Sequence, residues 1–165
     1  MASQEYLKKK ALAAEKRGRI VLESKLQNEC VLWWKNTYPS IGNRLFAVFN
    51  EGRDVTHKLS MGLTPGVCDL LYVGQDGKLF GFEMKQRGSS HRKSHLIKQA
   101  EWMISVLPGR AWFCDSLEGF KAGIFGDSSD LIEPLEVLKY LRKCNQNMIQ
   151  WNEISDYLRE KRTSV

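Results

Sequence analysis

An α/β fold with a mixed sheet flanked by helices is predicted by three features of the sequence. Residues 69–85 read as strand, turn, strand. A helical stripe and a further strand follow, so the chain crosses through a helix before it returns to a sheet. Ahead of the strands, the first long apolar periodicity is helical. The 165 residues suit one domain with a sizeable core. Hydrophobic content of 42% and charged content of 27% are those of a soluble globular protein.

Residues 1 to about 20 carry Lys8-Lys9-Lys10, Lys16-Arg17 and Arg19 among alanines and glutamates. This reads as a helix-prone solvated face or loose tail, or as a basic arm that touches phosphates. From Ile20 to Tyr38 the pattern is helical. Leu22, Leu26, Glu29, Cys30 and Trp33 recur every three or four residues, Val31, Leu32 and Trp34 widen the stripe, and Pro39 closes it. Glu29 falls on or beside this stripe. It is either a boundary glutamate in contact with water or a carboxylate that needs a partner.

Arg44 to Phe49 reads as the first strand, followed by a turn at Asn50-Glu51-Gly52-Arg53. Gly62 to Gly66 then forms a flexible approach to Asp69. Pro65 pre-sets the backbone, and Gly66 permits a conformation closed to most residues. Leu70 to Val73 is the second strand. Gly74-Gln75-Asp76-Gly77 is its turn, and Lys78 to Lys85 returns as the third strand. Alternation puts Phe80, Phe82 and Met84 on a core face and Leu79, Gly81, Glu83 and Lys85 on the other. Glu83 and Lys85 read alone as a solvated ion pair. With Asp69 on the neighbouring strand they also form a chemically meaningful set, two carboxylates and an ammonium.

Residues 86–95 hold three basic residues and two histidines among small polar ones, and read as a mobile loop, either one that tracks phosphates or a disordered surface loop. Ser94 is the expected cap of the next helix. That helix has Leu96, Ile97, Ala100, Met103, Ile104 and Leu107 as its stripe, and Pro108-Gly109 ends it. By spacing alone, Gln99 is an exposed helix residue. Arg110 to Cys114 is the next strand. Asp115 and Ser116 start a helix that runs to about Gly126. Past a linker at 126–130, Leu131 to Cys144 and Ile149 to Lys161 read as two more helices. Leu135, Leu138, Leu141, Ile154, Tyr157 and Leu158 are their expected packing positions. Trp151 and this tail either cover the core or mediate dimerisation.

The net charge of +6 favours a polyanionic partner, nucleic acid before an anionic membrane. The cysteines at 30, 68, 114 and 144 form no C-x-x-C pair. The histidines at 57, 91 and 95 make no zinc spacing with them. Four reduced thiols in an intracellular protein is the expectation. The sequence has no N-terminal apolar h-region and no apolar run near about 18 residues, so it is expected to be neither secreted nor membrane-spanning.

Asp69, then Glu83-Met84-Lys85 after a hairpin, resembles the PD-(D/E)XK nuclease signature. The longer pattern is Gly62-x-x-Pro65-Gly66-Val67-x-Asp69-Leu70 followed by Phe82-Glu83-x-Lys85. It is similar to the VRR-NUC branch of that superfamily. Gln99-x-x-Trp102 resembles the family's Q-x-x-W element, and Leu26-Gln27-x-Glu29 matches its first-helix glutamate. Asn50-x-Gly52 is similar to another stretch of the family, and the resemblance runs from about Glu23 to Ile124.

The resemblance implies a restriction-endonuclease-like αβββαβα core over 21–126. It is preceded by a basic extension, 1–20, and followed by a C-terminal helical extension of the same domain, 127–165. It implies a metal-dependent endodeoxyribonuclease with no organic cofactor. Asp69 and Glu83, with Glu29 and the Met84 carbonyl, would bind Mg²⁺ or Mn²⁺. Lys85 would orient and help deprotonate the attacking water, and Gln99 would support the metal or substrate. Asn50, Arg53, Lys58, Arg87, Arg92 and Lys93 are the candidate contacts to the DNA backbone. They serve equally as polar loop residues.

Small stand-alone members of the family, often from phages, resemble Holliday-junction resolvases and work as homodimers. Branched DNA in the cytoplasm, the host's if the chain is phage-encoded, is therefore the expected substrate. The alternatives are a restriction-like or exonucleolytic enzyme on other DNA, and a non-catalytic nucleic-acid-binding module.

Overall fold

The computed structural model describes residues 25–48, 64 and 66–164. A first helix, α1, occupies 25–37 and leads into a 3-10 helix, Pro39–Arg44, with proline in its first turn. The strands are β1 (Leu45–Ala47), β2 (Leu70–Val73), β3 (Leu79–Met84), β4 (Ser90–Arg92), β5 (Ala111–Cys114) and β6 (Met148–Gln150). The remaining helices are α2 (Lys93–Val106), α3 (Leu117–Ile124), α4 (Pro134–Lys143) and α5 (Trp151–Thr163).

Four strands form a mixed sheet in the order β1-β2-β3-β5. The first two pairings are antiparallel, and β3 runs parallel to β5. The β2–β3 hairpin turns where Asp-Gly predicts it. The Gly74 N–H donates to Lys78 O, and Gly77 takes a φ of 77° that suits a residue without a Cβ. A parallel neighbour cannot be reached by a hairpin, so α2 carries the chain from β3 to β5. Helices cover both faces of the sheet. On one face, Leu26, Cys30 and Trp34 of α1 and Phe120 of α3 pack against Leu70, Tyr72, Phe82 and Met84. On the other, Leu96, Ala100 and Met103 of α2 meet Phe113 and the C-terminal helices.

Several expectations shift when the chain packs. The segment read as a mobile loop contains β4, which pairs antiparallel with β6. Ser94 does not cap α2. The helix begins straight off β4 with Arg92 as N-cap and no side-chain cap bond. The first helical N–H, that of Lys93, donates instead to Asn147 O. Leu131 and Ile132 are not helical, because Ile132 exchanges two backbone hydrogen bonds of 3.0 Å with Phe113. The helix starts at Pro134, whose missing N–H costs nothing in the first turn. In α1, Trp34 is fully enclosed, whereas Leu32 faces solvent. Leu135 and Tyr157 are exposed, and Val137 and Ile154 are among the residues that fill the core.

The tail covers the core. Trp151 is fully buried, its ring 5.2 Å from that of Phe113. Its indole N–H donates to Asp115 Oδ2, and Arg159 pairs with the same carboxylate at 2.6 Å. The four cysteines are free thiols. Burial pushes Cys30 and Cys68 upward in pKa and Cys114 up to about 12, so these three are poor nucleophiles. Among the described residues, no helix is long and apolar enough to cross a membrane.

If α5 is part of the sheet's core, Trp151→Ala should cost about 3–5 kcal/mol. Urea denaturation should show this as one cooperative transition at lower midpoint, not as separate loss of a terminal helix.

Candidate active site

Everything in the site hangs on the C-terminal end of β3. Phe82 and Met84 point into the α1 and α3 side, so strand alternation sends Glu83 to the α2 side. Glu83 and Lys85 are 1% and 3% accessible, and Lys85 Nζ lies 2.8 Å from Glu83 Oε1. The solvated-pair reading of these two residues is therefore wrong, and they form a buried ion pair. Desolvating both charges is expensive, and good geometry with further hydrogen bonds is what offsets it. Gln99 supplies one of these bonds, donating Nε2–H to the same Glu83 Oε1.

Gln99 is 6% accessible, not exposed as its spacing suggests. The helix lies across the sheet so that Gln99, flanked by Leu96, Ala100 and Met103, turns inward. Gly66 allows the loop before β2 to press against this helix. A Cβ at Gly66 would sit 2.9 Å from Lys98 O, and its φ of 92° disfavours any side chain. That approach fixes Asp69, whose Oδ2 accepts the Met84 N–H at 2.8 Å. Asp69 is thus bonded to the peptide between Glu83 and Lys85. Next to it, the buried Cys68 thiol is raised in pKa by desolvation first, then by the negative fields of Glu83 and Asp69.

Lys85 is held from two more directions. Its backbone N–H donates to Cys114 O at 2.8 Å, and its ammonium lies 6.0 Å from the Phe113 ring centre. His95, one helical turn before Gln99, also belongs to this neighbourhood. The residue is exposed, yet desolvation by the protein beside it lowers its pKa, the positive field of Lys85 adds to that, and Asp69 opposes it. In the sequence, the i, i+4 spacing of His95 from Gln99 is the one sign of this placement.

The donor set suits a hard cation. Asp69 and Glu83 supply carboxylate oxygens, and Gln99 Oε1 is buried with no hydrogen-bond partner among the described residues. An orphaned buried acceptor normally costs free energy, and a cation would satisfy it. Glu29 is not gathered with the others. It is exposed on α1, which packs on the sheet face opposite Glu83. Among the described residues, no group of three His, Cys, Asp or Glu side chains converges as metal ligands.

The basic residues divide differently. Asn50, Arg53 and Lys58 lie outside the described residues, as does His57. Arg87 is tied to the C-terminal helix, 2.6 Å from Asp156 and 3.6 Å from Asp115, with its side chain 47% exposed. The Lys93 ammonium donates to Cys144 O at 2.5 Å. Arg92 is exposed at the start of α2. Folding thus uses Arg87 and Lys93, and their places in the sequence give no sign of it.

The fold and site define an α/β protein with a mixed four-stranded sheet and a buried carboxylate–ammonium–amide cluster at the carboxyl ends of its parallel strands. Ligands of open α/β sheets commonly bind at that end. Comparison with protein-family models, with curated proteins and with solved structures returns no match.

Lys85→Met should destabilise the protein by about 3–5 kcal/mol, because it leaves Glu83 buried without its cation. Adding Glu83→Gln should restore most of that loss. Urea unfolding of wild type, the single and the double variant checks both.

Proposed function

We propose that the chain is a metal-dependent endodeoxyribonuclease with a restriction-endonuclease-like core, acting on branched DNA as a homodimer. The observation that carries the reading is the convergence of Asp69, Glu83, Lys85 and Gln99 from three separate elements. These are the residues that the resemblance to PD-(D/E)XK nucleases singles out. Counting only the strands of the four-stranded sheet and leaving out β4, which pairs with β6, the order helix, three strands, helix, strand, helix supports the same reading.

Asp69 and Glu83 would hold Mg²⁺ or Mn²⁺, with Gln99 Oε1 and the Met84 carbonyl as neutral oxygen ligands. Bound there, the ion would supply positive charge for the phosphoryl oxygens and a more acidic water. The chain's own residues do the rest. Lys85, fixed by Phe113 and Glu83, orients the attacking water and donates to a phosphate oxygen. Gln99 holds the Glu83 carboxylate in one rotamer. Asp69 holds the Glu83–Met84 peptide through the Met84 N–H, and Cys114 O holds the next peptide through the Lys85 N–H, so the direction of the Met84 carbonyl is set before substrate arrives. Burial keeps competing water out and strengthens each of these interactions. The branched substrate and the dimer rest on the resemblance, since two symmetric sites suit two symmetric strands.

Cleavage of matched four-way junction, flap, duplex and single-stranded DNA tests this. Wild type with Mg²⁺ or Mn²⁺ should cut the junction symmetrically, and EDTA should abolish cutting. Lys85→Ala should lower the rate by at least about 100-fold, the scale of one lost positioning or acid–base group. Cutting of every substrate alike would remove the junction claim. Equal activity in Lys85→Ala would remove this site, and metal-independent binding without cutting would favour a non-catalytic module.

A further inference from the structure

A second site of a different kind lies between α4 and α5. The two helices enclose a groove of about 550 Å³, a size typical of ligand sites. Tyr140 and Tyr157 sit in it side by side, ring centres 5.3 Å apart. Tyr157 is 47% exposed, although a packed helix pair has no need to present an aromatic face to water. Around the tyrosines stand Lys139, Arg142, Lys143 and Lys161. Four cations thus line the groove with one carboxylate, Glu136, and Glu153 adds a negative field at Tyr140 from outside the lining.

Glu136 fixes two of the cations, Lys139 at 2.6 Å and Lys161 at 3.2 Å. Arg142 and Lys143 make no ion pair with an acidic side chain among the described residues. Their place in the last turn of α4 suits the helix dipole. The dipole does not account for the tyrosine pair beside them. Two aromatic rings, tilted 56° to one another and bordered by Arg142 and Lys143, offer separate faces for bases and cations for phosphates of a flexible strand. An acidic peptide would use the cations but not the ring faces.

We propose that the groove between α4 and α5 binds single-stranded nucleic acid, with bases stacked on Tyr140 and Tyr157 and phosphates against Arg142 and Lys143. This goes beyond the nuclease reading and does not require it. The groove belongs to the helical layer covering the sheet face to which Glu83 points. A nuclease of branched DNA would have use there for an unpaired arm.

Fluorescence anisotropy with a labelled oligothymidylate tests the proposal, using the full chain in EDTA so that cleavage plays no part. Tyr157→Ala should weaken binding by at least about fivefold, and Tyr157→Phe should keep it. Arg142→Ala with Lys143→Ala should reduce the slope of log affinity against log salt by about 1.4, as two lost phosphate contacts require. Unchanged affinity in Tyr157→Ala would overturn the proposal. So would a wild type that does not bind, or equal displacement by polyglutamate of matched charge. Tyr157-dependent binding by a chain that cuts nothing would support this site while removing the nuclease reading.

Discussion

The buried pair of Glu83 and Lys85 is the constraint on which the site depends. Two ionised groups two residues apart on one strand end have been taken out of water, at a desolvation cost that their attraction alone repays poorly. The surroundings are arranged around that cost. Gln99 reaches down from α2 to the glutamate, Asp69 fastens the peptide between the pair, and Phe113 lies beneath the ammonium. Each contact comes from a different element. The pair is therefore tied to α2 through Gln99 and to the 66–69 loop through Asp69. Hydrophobic pairs of similar volume often hold a fold as well as a buried ion pair does, so packing alone does not call for these charges.

The C-terminal helices make this arrangement possible. Because β5 lies parallel to β3, its carboxyl end opens beside Lys85, and Asp115 follows directly from it. Asp115 is itself a buried carboxylate, neutralised by Arg159 and Arg87 and bonded to the Trp151 indole. The tail so anchored closes the α2 face with Val137, Leu141, Ile154 and Leu158. Two buried acidic groups thus stand at one end of the sheet with opposite uses. One is paired for packing, and the other is held in a polar cluster with an unfilled amide oxygen beside it.

Local chemistry was legible in the sequence, and long-range geometry was not. The β2–β3 hairpin follows from Asp76-Gly77 and strand alternation, and the close approach at Gly66 follows from glycine after proline. Helix α3 starts at Ser116, whose side chain accepts from the Gly119 N–H as a cap should. Gln99 looked exposed because helical periodicity ranks positions by hydrophobicity, and a buried polar partner inverts that ranking. Residues 90–92 looked like loop because β4 is short and polar, and its partner β6 lies far along the chain. Arg87 looked free to meet phosphate because nothing nearby in sequence announces Asp115 and Asp156. Glu29 matched a motif, but the helix that carries it packs on the other face.

The most direct test of the central claim is metal binding itself. Thermal melting of the purified chain should be followed while Mn²⁺ is titrated in, for wild type and for Asp69→Asn. A ligand that binds only the folded state raises stability by an amount set by its concentration over its Kd. The account predicts a saturable rise in Tm for wild type and a much smaller one for Asp69→Asn. The same shift in both proteins, or none in wild type, would contradict a metal site built on Asp69 and Glu83.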